Sequence, residues 1–236
     1  MTGALARLAA LPQPWCEEAL KGALCEAGAA CGFTHAAVLT LPSTDDNALA
    51  TRLVMGNWPP AFAKGYEQAG LHRFKLVLGP LRTDPMPFVW DAETLFGTDE
   101  ADPSPAARFV AEARYLSGVI LPVHGMSALS GALSFAGPHA PPGEATVREL
   151  QLFAFAFFGM LAACRFEENR RRNPLSGRER DCLKLAMLGK TSAEIGIILG
   201  LSEYTVSQYL SAATRKMDAS NRTHAVALAA QLGYLS

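Results

Sequence analysis

The spacing of hydrophobic positions changes several times along the chain. Apolar residues recur at helical intervals between Trp15 and Cys31, whereas Phe33–Leu41 and Thr51–Trp58 read as strands. A helix is predicted over Pro60–Ala69. A Pro-rich passage follows, and helical spacing resumes over Pro105–Tyr115. Val119–Val123 and Gly131–Ala136 again read as strands. Thr146–Glu168 reads as one long helix, with Phe153, Phe157 and Leu161 at i, i+4 and i+8. Such a stripe belongs to a core or a dimer contact before it belongs to a cofactor box. Strands flanked by helices predict an α+β chain whose N-terminal part is an α/β/α sandwich with an antiparallel sheet.

The pattern breaks at Glu167–Ser176, EENRRRNPLS, which is charged and interrupted by Pro174. The predicted division is a first domain over 1–166, a linker over 167–175 and a second domain over 176–236. The second domain has clear helix punctuation. Ser176 with Glu179, and Thr191 with Glu194, are capping-box pairs: the hydroxyl takes an orphan N–H and the carboxylate reaches back to another. Ser202 and Asn221 can cap two more helices, while Gly189, Gly200 and Gly233 are natural stops. Four short helices are therefore predicted. The turn Gly200–Ser202 is short enough to force a steep crossing of the second and third.

Ile195, Ile198 and Leu199 are predicted to face inward on the second helix, and Val206, Leu210 and Met217 on the third, where Ala213 allows close approach. That leaves Tyr204, Ser207, Gln208, Ser211 and Arg215 facing outward. Hydroxyls, an amide and a guanidinium on one helix face suit the DNA major groove. A small bundle with a solvated face fits the same pattern.

Charge sharpens the division. From Arg165 onward there are eleven Lys and Arg against seven Asp and Glu, a net +4. Before it there are ten against fifteen, a net −5. An acidic front and a basic back suit a sensor joined to a nucleic-acid binder. The five cysteines form no CxxC pair and read as free thiols of a reducing cytosol. No signal peptide is read at the start. The apolar run Leu152–Cys164 is too short to span a bilayer, so a cytoplasmic protein is expected.

The segment from Leu175 to Leu235 resembles the DNA-binding domain of LuxR-type regulators. The resemblance rests on Leu175, Ser176, Arg178 and Glu179, on Gly189–Thr191, on Glu194 and Ile195, and on Leu199–Ser202. It continues through Thr205 and Val206, Lys216 and Met217, and Asn221–Thr223. Tyr209 stands where the family usually has His. Gly196 stands where Ala is usual, at an expected cost of roughly 1 kcal/mol in helix propensity. The resemblance implies that Lys190, Thr191 and Ser192 lie near phosphates, and that Thr205, Ser207, Gln208 and Ser211 face the groove. Gln208 can pair bidentately with adenine. Arg215, Lys216 and Arg222 are expected on phosphate, setting affinity more than sequence.

The first domain resembles, more loosely, the autoinducer-binding domain of the same family, through Phe62, Gly65, Tyr66, Gly70, Leu71, Pro87–Asp91, Gly118, Leu121–Gly125 and Gly131–Phe135. In the family this pocket binds N-acyl homoserine lactones through an Asp, a Trp, a Tyr and a strand hydroxyl. Here the Trp is kept as Trp90 and the hydroxyl as Ser134. The Asp position falls on Lys75, the Tyr position on Trp58, and Phe62 replaces a Trp four residues before Tyr66. An ammonium has donors and no acceptor, so Lys75 cannot receive the ligand's amide N–H. Lys75 then either pairs with an acidic ligand oxygen, swings to the surface and leaves an apolar pocket for another small molecule, or belongs to a pocket filled by side chains. Trp58 and Phe62 favour filling. Binding of an authentic lactone is the remaining alternative.

The histidines show no metal spacing such as HExxH, and there is no nucleophile elbow or phosphate loop, so an enzyme is not expected and no cofactor is implied. The expected protein is a cytoplasmic homodimer that binds a near-palindromic operator in double-stranded DNA and has an atypical, orphan-type ligand pocket. Capture of another LuxR-type regulator in mixed dimers is the rival role.

Overall fold

The computed structural model describes residues 3–40, 53–71, 86–96, 104–123 and 131–235. It divides into two compact units, Met1–Ala162 and Ala163–Ser236. In the first unit, α1 (Gly3–Ala9) and α2 (Glu17–Ala30) lead into β1 (His35–Thr40). There follow β2 (Leu53–Gly56), α3 (Pro60–Gln68), β3 (Phe88–Asp91), α4 (Ala92–Phe96), α5 (Pro105–Glu112), β4 (Ser117–Val123) and β5 (Gly131–Gly137). The helix α6 (Glu144–Arg172) follows β5.

The strands form one antiparallel sheet in the order β2-β1-β5-β4-β3. Every residue of β4 and β5 is buried, so neither of their faces meets water. Apolar continuity rather than alternation marks strands covered on both sides, which is the predicted layered architecture. Pairing of Val38 with Leu133, and of Val119 with Phe135, sets one face of the sheet. The helix α2 packs on β1 against that face, where Ala36 and Phe135 lie beside Gly28. The opposite face carries Ala37, Leu39, Ile120, Ala132 and Ala136, in one apolar cluster with Phe62 of α3 and Val110 of α5.

On α6, Phe153, Phe157 and Leu161 are completely buried, which settles the predicted stripe as core. Its 29 residues would suffice by length and composition to cross a membrane. The buried Leu150, Phe153, Ala154, Phe157 and Leu161 instead mark the core helix of a globular unit. The helix continues through Arg172, so the expected linker is helical over 167–172. Arg170–Arg172 complement the negative end of the helix dipole, and Arg172 pairs with Glu168 at 2.7 Å. The pattern of apolar positions missed α1, α4 and β3. The edge strand β3 is four residues long and follows Pro85 and Pro87, so in the sequence it merges with the Pro-rich passage.

The second unit contains α7 (Gly177–Met187), α8 (Ser192–Leu199), α9 (Glu203–Lys216) and α10 (Arg222–Gln231). Both expected capping boxes form, and Ser202 and Asn221 cap α9 and α10. Gly200 ends α8 in the left-handed region, at φ 65°. Ile195, Val206, Leu210, Ala213 and Met217 enter one core with Leu175, Cys182, Leu183, Ala225 and Ala229. Ile198 does not follow them and stays 53% exposed. The inward arc of α8 is Ile195, Gly196 and Leu199, and Ile198 falls about 60° to the other side of Ile195 at 100° per residue.

Replacing Phe157 by Ala should cost about 3–5 kcal/mol, because a fully buried ring packed on Phe153 and Phe158 leaves a cavity. Urea unfolding should show this.

Candidate functional site

The face of the sheet opposite α2 carries an aromatic cluster centred on Tyr115. Helix α5 stops at Glu112, earlier than the sequence suggests. Arg114 takes a positive φ of 52°, and Tyr115 leaves the turn with its N–H donating to the Val110 carbonyl at 2.8 Å. Its ring lies 5.1 Å from that of Trp90, 5.2 Å from Phe62, 5.3 Å from His35 and 6.1 Å from Tyr66. Trp58 packs 4.9 Å from Tyr66 and 5.2 Å from Phe62. Such tilted and edge-on contacts add to the area each ring buries.

The local folding that places these groups is legible residue by residue. Trp90 is held opposite Gly118, across the β3–β4 pair. Asp91 accepts from the Thr94 N–H at 2.7 Å, starting α4 so that Leu95 and Phe96 join the lining. That hydrogen bond also lowers the Asp91 pKa. Gly65 lets the Phe109 ring lie against α3, since a Cβ there would sit 2.3 Å from the ring.

Of the residues predicted for the pocket, Trp58, Phe62, Tyr66, Trp90 and Ser134 are gathered here. Lys75 lies outside the described residues. His35, Phe109 and Tyr115 were not predicted. In the sequence His35 stands only as the third residue of the strand read over Phe33–Leu41, and Tyr115 only as the end of a helix.

The polar groups of the cluster are engaged internally. The Ser134 side chain, on β5, is buried and shares a hydrogen bond with Tyr115. Burial pushes the Tyr115 phenol far above its ordinary pKa, the neighbouring Tyr66 adds to the rise, and the bond to Ser134 opposes it. Burial lowers the pKa of His35, whose Nδ1 lies 2.9 Å from the Thr34 hydroxyl, so its neutral form is favoured. The remaining cavity, lined by Tyr66, Leu71, Trp90, Val110, Tyr115 and Ile120 among others, holds about 20 Å³. That is room for about one water. Among the described residues no three His, Cys, Asp or Glu side chains gather to hold a metal.

In the second unit, Ser192 of α8, Ser207, Ser211, Thr214 and Arg215 of α9, and Arg222 of α10 line one open groove of about 390 Å³. Tyr204, 74% exposed, and Gln208, also exposed, continue the outer face of α9. The outward set read from the sequence thus lies on one surface.

Five of the predicted residues, Arg222 of the groove among them, have partners within the unit. The Thr191 hydroxyl donates to Glu194 at 2.9 Å within the capping box, and Thr205 shares a hydrogen bond with the Ser202 hydroxyl at 2.8 Å. Arg222 donates to the Lys190 carbonyl, tying the start of α10 to the turn before α8. Lys216 donates to Glu179 at 2.8 Å, and Glu179 is buried. Lys190 lies 3.8 Å from Glu194, a loose pair at the surface. Burial alone would raise the Glu179 pKa. The bonds from Lys216 and from the Ser176 N–H outweigh it and bring the carboxyl below its usual range.

Gly196 has a role that helix propensity does not show. A Cβ at this position would stand 2.6 Å from the Leu201 carbonyl oxygen, where the chain turns from α8 into α9. The expected propensity cost is therefore set against a close backbone approach that another residue would obstruct.

Comparison with known proteins agrees with both halves of the chain. Residues 16–161 match the autoinducer binding domain, and residues 173–229 match bacterial regulatory proteins of the luxR family. The chain is 35% identical over 212 residues to the HTH-type quorum sensing-dependent transcriptional regulator RpaR of Rhodopseudomonas palustris, covering 88% of this chain and 84% of that protein. It is 30% identical over 198 residues to the transcriptional activator protein BjaR1 of Bradyrhizobium diazoefficiens, covering 84% and 81%. The crystal structure of Escherichia coli SdiA shares the fold, with a TM-score of 0.69 at 22% identity over 98% of this chain and 96% of that one.

Gly196→Ala should destabilise the second unit by roughly 1–3 kcal/mol, because the added methyl must displace backbone. Thermal unfolding checks this. A gain of about 1 kcal/mol would show that helix propensity governs the position instead.

Proposed function

The chain belongs to the LuxR family of quorum-sensing, DNA-binding transcriptional regulators, and on that premise we propose that its sensor domain folds without an acyl-homoserine lactone. The observation that carries this reading is the filled aromatic cluster: seven rings pack on one another, the space left beside Tyr66, Trp90 and Tyr115 is about 20 Å³, and the Ser134 hydroxyl is already bonded to Tyr115. A drug-sized ligand needs several hundred cubic ångströms. The substitutions at Trp58 and Phe62 supply two of the rings, and Lys75 removes the acceptor that a lactone's amide requires.

The domains proposed are a sensor and dimerisation part over 1–166 and a DNA-binding part over 176–236, acting in the cytoplasm as a homodimer on a near-palindromic operator. Leu152 and Phe155, 59% and 53% exposed on α6, supply an apolar face that a second copy would cover. The outer face of α9 supplies the groove contacts, with Ser207, Gln208 and Ser211 reading bases and Arg215 on phosphate. A second reading, an ordinary lactone receptor, is favoured by Tyr66 and Trp90 on the same cavity wall.

Purification from a host lacking lactones, followed by native mass spectrometry with and without added lactones, separates the two. The expected result is a folded dimer with no bound mass and no lactone uptake. A stoichiometric adduct, or insolubility rescued by a lactone, would favour the ordinary receptor. On a selected duplex, Gln208→Ala should flatten base preference at one position, a loss of about 1–3 kcal/mol in discrimination. Arg215→Ala should weaken all sequences alike. Equal loss of specificity from both would contradict this division of labour.

A further inference from the structure

We propose that Lys216 is a positioning residue that fixes the recognition helix, and that it makes no phosphate contact. This rests on the reading of α9 as the DNA-contacting element. It concerns which cations of the basic domain reach the duplex.

Lys216 is the last residue of α9, and its Nζ donates to Glu179 Oε2 at 2.8 Å, across 37 positions of sequence. Glu179 is a fixed anchor. The same Oε2 accepts from the Ser176 N–H at 2.7 Å, and the Ser176 hydroxyl accepts from the Glu179 N–H at 3.3 Å. Its side chain is 6% exposed, against 42% for Lys216. The lysine therefore reaches inward, to a carboxylate that the start of α7 holds rigidly. Moving it to a phosphate would leave that buried carboxylate without its cation, a heavy penalty for an ion of 6% exposure.

Helical phase agrees. Arg215, with Ser207 and Ser211, lines the groove. Lys216 follows Arg215 by about 100° around the axis. The pair ties the C-terminal turn of α9 to the N-terminus of α7, and so sets where Ser211 and Arg215 stand when the helix enters a groove. A shift of an ångström at that end would spoil base contacts without removing any of them.

Salt dependence distinguishes a strut from a contact, because each lysine or arginine on a phosphate adds about 0.9 to the slope of log K against log salt. The full chain is used to select a duplex from a random pool. Affinity is then measured against salt for the parent, Lys216→Met, Lys216→Arg and Arg215→Ala, each checked as folded by circular dichroism. Lys216→Met is expected to bind roughly threefold to tenfold more weakly with an unchanged slope, as fits a net loss of about one hydrogen bond. Lys216→Arg should restore affinity, and Arg215→Ala should flatten the slope by about 0.9.

Should Lys216→Met fail to fold, Lys216→Gln, which keeps a donor toward Glu179, should likewise leave the slope unchanged. In a Glu179→Gln background the further loss from Lys216→Met should largely vanish. A slope flattened by about 0.9 in Lys216→Met or Lys216→Gln would overturn the positioning role. So would an equal affinity loss with and without Glu179→Gln. Failure to select any duplex would overturn the DNA reading and this role with it.

Discussion

A phenol taken out of water needs a hydrogen-bond partner, and Tyr115 finds one in the Ser134 side chain on the neighbouring face of the sheet. Much of the first unit is arranged to make that burial possible. The positive φ at Arg114 turns the chain inward, and the short stop of α5 brings the Tyr115 N–H to Val110. Gly65 admits Phe109, and β3 lays Trp90 across Gly118. Once Tyr115 is in place, the rings of His35, Trp58, Phe62, Tyr66 and Trp90 close around it. The space left among them is small, as befits an interior that tolerates few voids.

The second unit solves a different problem, which is to present one helix face accurately with few core residues. Capping boxes at Ser176 and Thr191 close the N-termini of α7 and α8. Gly196 permits a tight passage into α9, and Glu179 holds the far end of α9 through Lys216. The positive charge of this half of the chain is thus divided. Lys216 and Arg222 bond to groups within the unit, whereas Arg215 lines the open groove.

Much of this was legible in the sequence, because the signals are local. Caps, glycine stops and the 3.6-residue period located the four C-terminal helices, and they put Tyr204, Ser207, Gln208, Ser211 and Arg215 on one face. The spacing of Phe153, Phe157 and Leu161 marked a core helix. What escaped depends on contacts distant in sequence. The edge strand β3 is too short to show a period. Ile198 looked like a core residue until the arc of α8 was fixed by Gly196 approaching Leu201. Nothing near Lys216 announces a carboxylate 37 positions earlier. Tyr115 could not be singled out either, since a tyrosine after a helix is ordinary until an unusual turn carries it into the core. Lys75, central to the reading of the pocket from sequence, lies outside the described residues. The filled cluster supports the same conclusion independently of it.

That the rings around Tyr115 form a packed core without a small molecule is tested most directly by amide hydrogen exchange on protein made in a host free of lactones. Slow exchange is expected at the Tyr115 N–H and through β4 and β5, at rates set by global unfolding and unchanged by added lactone. Fast exchange there, slowed many-fold when a lactone is added, would contradict it: the cluster would then be a site awaiting its ligand.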